Sequence, residues 1–117
     1  MLENVTVNTV TLKDGSVKVF NTTVNDDFNV EKGNANILDS SSIAGTLTNA
    51  GTVTIKGETT MKNIVNNGTF TSYVDLVVEN ITLNPKSVTT LTSNGEDFDG
   101  TIWYTGAYEN NNMTLNG

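Results

Sequence analysis

Two carboxylate clusters are the only groups in this chain that could act as paired acid and base: Asp26-Asp27, and Glu96 with Asp97 and Asp99. A pair of this kind hydrolyses glycosidic bonds when a cleft desolvates one member and leaves the other ionised. Both clusters sit in polar, turn-like stretches, so they read as solvated loop charge. The chain has no His, which removes imidazole acid–base chemistry, any Ser-His-Asp triad and the commonest metal ligand together. It also has no Cys, hence no thiolate nucleophile, thiolate metal site or disulfide. Asp97-Phe98-Asp99-Gly100 matches part of a calcium loop, but the remaining ligand spacing and the distant bidentate Glu are missing. The residues therefore predict no catalytic site, no metal and no cofactor.

A second kind of chemistry is available to Thr, whose hydroxyl bonds water or sugar while its methyl packs. Thr52, Thr54, Thr69, Thr71 and Thr89 fall at alternating positions in short β-branched runs, which places them on one side of their strands. They form the candidate binding face. Its competitor is a plain solvated strand surface, where Thr is favoured by β propensity alone. A third group, Trp103, Tyr104 and Tyr108, reads either as a terminal cap or as an aromatic sugar platform.

The elements that would hold these residues come from an internal repeat. Asp14-Gly15-Ser16-Val17-Lys18-Val19, Lys32-Gly33-Asn34-Ala35-Asn36-Ile37, Ala50-Gly51-Thr52-Val53-Thr54-Ile55 and Asn67-Gly68-Thr69-Phe70-Thr71-Ser72 share the order turn, Gly, polar, apolar, polar. Their glycines lie 18, 18 and 17 residues apart, and Pro85-Lys86-Ser87-Val88-Thr89-Thr90 follows 18 residues after Gly68 as a copy without glycine. Such a period predicts an all-β, parallel β-solenoid with coils of about 18 residues stacked about 4.8 Å apart. The alternative is a β-sandwich of a filament or pilin-like subunit, whose strand from Val5 to Leu12 would complete a neighbour's sheet.

In the solenoid reading Val17, Ala35, Val53, Phe70 and Val88 form an inward column, joined by Val19, Ile37 and Ile55, with Ser72 and Thr90 weakening its far end. Val24 and Phe28, Ile43 and Leu47, Met61 and Ile64, then Val77, Val78 and Ile81 line a second inward face. Asn49, Asn66 and Asn84 precede the turns and could stack as an amide ladder, or mark turns only. The chain divides into an incomplete first coil over 1–12, repeats over 13–92 and a C-terminal loop and aromatic cap over 93–117, all in one domain.

Composition bounds the partners. Thr (20) and Asn (18) make up about a third of the 117 residues, a mixture poor in helix formers. Leu, Ile, Val and Phe total 31, about a quarter, which is enough for a folded core. A net charge of −7 with no Arg leaves no basic surface for nucleic acid, and no apolar run is long enough to cross a bilayer as a helix. Five Asn-x-Ser/Thr sequons occur, at Asn4, Asn21, Asn67, Asn80 and Asn112, about the number that this composition produces by chance. The start Met1-Leu2-Glu3-Asn4 lacks the basic and then apolar pattern of a signal segment, and the Thr/Asn/Gly composition favours a piece of a longer secreted chain.

The stretches Gly45-Thr46-Leu47-Thr48-Asn49-Ala50-Gly51-Thr52-Val53-Thr54-Ile55 and Asn66-Asn67-Gly68-Thr69-Phe70-Thr71 resemble the repeats of adhesin-like microbial surface proteins and autotransporter passenger domains. The resemblance covers about residues 13 to 92 and implies an extracellular parallel β-helix used as a stalk or adhesive surface. It carries over no functional residue. The Thr rows also resemble the ice-binding face of antifreeze solenoids, from which Lys18 and the pair Asn34 and Asn36 depart. The expected function is a non-catalytic structural or adhesive module at a cell surface, which binds its own copies, a larger parent chain or a cell-surface glycan or protein. Its alternatives are a strand-exchanging filament subunit and an ice- or polysaccharide-binding solenoid.

Overall fold

A computed structural model describes residues 1–74, 77–92, 99–104 and 112–116, with residues 77, 91, 92 and the last two stretches described by backbone alone. Each short β-branched run becomes a strand, and each turn cluster becomes a corner. The strands are β1 (Leu2–Glu3), β2 (Thr6–Val7), β3 (Val10–Leu12), β4 (Ser16–Phe20), β5 (Thr23–Val24), β6 (Phe28–Val30), β7 (Asn34–Asp39) and β8 (Ser41–Asn49). They continue with β9 (Thr52–Ile55), β10 (Thr59–Asn66), β11 (Thr69–Ser72), β12 (Val77–Leu83), β13 (Val88–Thr92), β14 (Asp99–Tyr104) and β15 (Asn112–Asn116).

The chain winds as a parallel β-solenoid. One ladder runs β1-β4-β7-β9-β11-β13-β15, and the opposite ladder runs through β2 and β3, β5 and β6, then β8, β10, β12 and β14. Every pairing among the described residues is parallel, which excludes the antiparallel β-sandwich alternative.

Register bears out the central column. Val17 pairs with Ala35, Ala35 with Val53 and Val53 with Phe70. Ala35, Val53 and Phe70 are buried, whereas Val17 is half-buried, because β1 extends only over Val19 and Phe20 and leaves Val17 without a neighbour on its outer side. The opposite wall is buried at Val24, Phe28, Ile43, Leu47, Met61, Ile64, Val78 and Ile81. Val7, Val10 and Leu12 join it from the first coil, while Val5 is exposed.

The fifth copy corrects the expected column. Phe70 pairs with Thr89, a step of 19 residues, and Val88 pairs with Thr69. Between β10 and β11 the corner is Asn67-Gly68, whereas between β12 and β13 it is Asn84-Pro85-Lys86-Ser87, with Lys86 at φ 70° and Ser87 N–H donating to Asn84 O. A shift of one residue relative to an 18-residue step reverses which side chains face inward. Val88 is therefore exposed, Thr89 is 1 % exposed, and Thr90 is not the inward residue above Ser72; Leu91 holds that register position.

Glycines set one corner. Gly15 and Gly33 take φ of 87° and 95°, and a Cβ on Gly33 would come within 2.3 Å of the Gly15 carbonyl oxygen. Gly51 and Gly68 stack on the same line, so the backbones approach more closely than any side chain allows.

Candidate binding face

The outward side of β4, β7, β9, β11 and β13 is the surface that the Thr residues form. Register aligns Ser16, Asn34, Thr52, Thr69 and Val88 in one row and Lys18, Asn36, Thr54, Thr71 and Thr90 in the next. Thr69 is exposed, and Thr52, Thr54 and Thr71 are half-buried between neighbours. Along a strand the rows lie about 6.7 Å apart, and across strands the spacing is about 4.8 Å. Thr52, Thr54, Thr69 and Thr71 thus sit at the corners of one rectangle of hydroxyl and methyl groups.

Thr89 does not belong to that face. It lies inside, where its Oγ1 accepts the Asn66 side-chain amide at 2.8 Å. The same slip that turned Val88 outward carried this hydroxyl inward, and its outward replacements in the fifth copy are Val88 and Thr90.

The amide ladder is real at two of its three expected positions. Asn49 Nδ2 donates to Asn66 Oδ1 at 3.0 Å and to Thr69 O at 2.9 Å, and Asn49 Oδ1 accepts Gly51 N–H at 3.0 Å. Asn66 Nδ2 donates to Val88 O and Thr89 Oγ1, and its Oδ1 also accepts Gly68 N–H. All four hydrogen-bonding positions of the Asn66 amide are filled, as burial requires. Asn84 stands outside this ladder: Leu83 takes the position above Asn66, and Asn84 instead donates to Asn67 Oδ1 at the surface.

Three arrangements escaped the sequence reading. A buried hydroxyl column at the other corner comprises Thr22, Ser41 and Thr59, each donating to the carbonyl two residues earlier. A second outward face aligns Thr46, Asn63 and Asn80, with Asn80 Nδ2 donating to Asn63 Oδ1 at 3.1 Å. The 17-residue spacing of Asn63 and Asn80 was its signal. Beside this face an open groove of about 480 Å³ lies between Ala44, Lys62 and Glu79, opposite charges that leave it without a dominant field.

Asp26 and Asp27 are exposed, and Asp27 Oδ1 accepts Thr46 N–H at 2.9 Å next to the bulge that distinguishes β8 from β10. Among the described residues no group of three His, Cys, Asp or Glu is placed to hold a metal ion. Glu96, Asp97 and Tyr108 lie outside the described residues. Asp99, Trp103 and Tyr104 belong to β14, whose backbone extends the parallel stack by pairing Trp103 with Thr82 and Tyr104 with Leu83. Among the described residues no helix is long and apolar enough to cross a membrane. Comparison with protein-family models, with curated proteins and with solved structures returned no match.

Proposed function

We propose that this domain is a non-catalytic structural or adhesive module of a microbial cell surface, which acts by presenting a regular hydroxyl face to an extended cell-surface glycan or protein. The observation that carries this reading is the rectangle of Thr52, Thr54, Thr69 and Thr71, held in register by flanking parallel pairs. Each hydroxyl offers one donor and two acceptor positions, and its β-branched methyl gives a rigid apolar contact beside them. Repetition at a fixed spacing suits a ligand that is itself repetitive, because successive units meet the same groups. The exposure of Asp26 and Asp27 and the structural engagement of Asp27 by Thr46 N–H support the non-catalytic side of the reading.

Thr54→Val with Thr71→Val tests it, since Val keeps the shape and β-branching of Thr and removes only the hydroxyl. Binding of the wild-type chain to arrayed polysaccharides and to intact microbial cells is expected to fall at least about tenfold in this double variant, with melting little changed. Equal binding by both proteins would remove the face from the argument. The same rectangle favours a second reading, the ordering of water at an ice surface. Thermal hysteresis in wild-type solutions, absent from the double variant, distinguishes that reading from glycan binding.

A further inference from the structure

Tyr73 is the one aromatic among the described side chains that stands in solvent: it is 53 % exposed, while Phe28 and Phe70 are buried and Phe20 is half-buried. Its place makes it informative. It follows Thr69 and Thr71 at the next outward position, because Ser72 before it is fully buried and Tyr73 N–H still donates to Ile55 O at 2.9 Å as a ladder residue would. By the same register Lys56, whose N–H donates to Ile37 O at 2.8 Å, is its neighbour on the adjacent coil. Tyr73 therefore borders the rectangle at its Thr54 and Thr71 side, about 6.7 Å along the chain from Thr71.

The backbone that carries this ring is held fast. Ser72 Oγ donates to Val74 O at 2.7 Å and accepts Val74 N–H at 3.4 Å, so one buried hydroxyl spans the bend just after Tyr73. Val74 packs on the core and fixes the bend from its other end. In the two preceding coils the corner hydroxyl is that of Ser41 or Thr59, bonded to the carbonyl two residues earlier. Ser72 reverses that direction, and it does so from a core position that Val19, Ile37 and Ile55 fill with aliphatic side chains in the other coils. A hydroxyl there gives up apolar packing, and what it supplies is a fixed backbone at Tyr73.

The surface beside the ring is uncharged. The outward positions in the two rows of β7, β9 and β11 are Asn34, Asn36, Thr52, Thr54, Thr69 and Thr71, on a chain whose net charge is −7. Amides and hydroxyls without a field of either sign complement a neutral ligand that hydrogen-bonds at every unit, and an aromatic ring at their edge complements one with a flat C–H face. A neutral polysaccharide of pyranose units has both, with hydroxyls around the rim of each ring and C–H groups on its faces. Ice offers no C–H face.

We infer that Tyr73 is the stacking platform of the Thr face and that the ligand there is a neutral pyranose polysaccharide. One sugar ring lies on Tyr73 with the Lys56 ammonium donating to its hydroxyls, and the units that follow run along β9 and β11 over Thr54 and Thr71 toward Thr52 and Thr69. This rests on the function proposed above and narrows its ligand to one chemical class.

Affinity electrophoresis in gels of mannan, xylan or mixed-linkage β-glucan, with polygalacturonate as the acidic comparison, tests it. Retardation of the wild-type chain by at least one neutral polymer, and not by polygalacturonate, is expected. Tyr73→Ala should weaken that binding at least about tenfold, whereas Tyr73→Phe, which keeps the ring, should stay within about threefold of wild type. Melting of both variants should match wild type, since more than half of the side chain is already in solvent. No retardation by any of the neutral gels, stronger retardation by polygalacturonate, or equal binding by Tyr73→Ala overturns the inference. The two readings fail separately. If Thr54→Val with Thr71→Val loses cell binding while Tyr73→Ala keeps it, the face stands without the platform; if neither variant loses cell binding, the face itself falls.

Discussion

Asn66 is the residue on which most local order converges, because its buried amide joins three successive coils. It accepts from Asn49 below and from Gly68 at its own corner, and donates to Val88 and Thr89 above. An amide placed in an apolar core costs several kcal/mol unless its groups are bonded, and the same low dielectric strengthens the bonds it makes. Asn66→Ala leaves all four partners wanting at once and should lower stability by roughly 4 kcal/mol in urea unfolding. A cycle with Asn49→Ala should show a coupling of at least about 1 kcal/mol, because the two amides share a bond. Additive losses would mean that the two side chains act independently.

Corners rather than strands decide the registers at the scale of elements. The two-residue corner Asn67-Gly68 and the four-residue corner Asn84-Pro85-Lys86-Ser87 lead into strands of similar composition, yet the second turns Val88 out and Thr89 in. The glycine corner works by approach distance. Gly15 has φ of 87° with open space where a Cβ would go, whereas Gly33 has φ of 95° and a would-be Cβ 2.3 Å from the carbonyl below it. Gly15→Ala therefore tests conformation alone and should cost about 1 kcal/mol, within the range for alanine at positive φ. Gly33→Ala adds a collision between backbones and should cost at least about 3 kcal/mol, read as a larger drop in the urea midpoint. Equal effects would show that the coils can separate locally to admit a methyl group.

For the whole molecule, stability is built from repeated contacts between neighbouring coils, since each coil buries its apolar side chains only against the coils beside it. Val53 occupies the middle of the best-covered column, between Ala35 and Phe70, and is fully buried. Val53→Asp would place an unpaired charge there, with no cation close by in the column, and is expected to abolish the cooperative melt. Unchanged melting would contradict the buried placement.

The amino-acid sequence by itself determined the all-β class, the parallel coil and most of the core. Gly15, Gly33, Gly51 and Gly68 recur at nearly constant spacing, and parallel stacking in register is the arrangement that lets such a period bury one column. Thr52, Thr54, Thr69 and Thr71 were legible as a face for the same reason, since alternation along a strand assigns sides without knowledge of the neighbours. Thr89 and Asn84 were not. Their sides depend on how many residues the Pro85 corner consumes, and a single residue reverses the assignment. Local preference pointed the wrong way there, for Val88 is the better core residue by type. Only the tertiary structure brings the Asn66 amide, unsatisfied without a partner, against the position where the Thr89 hydroxyl completes it.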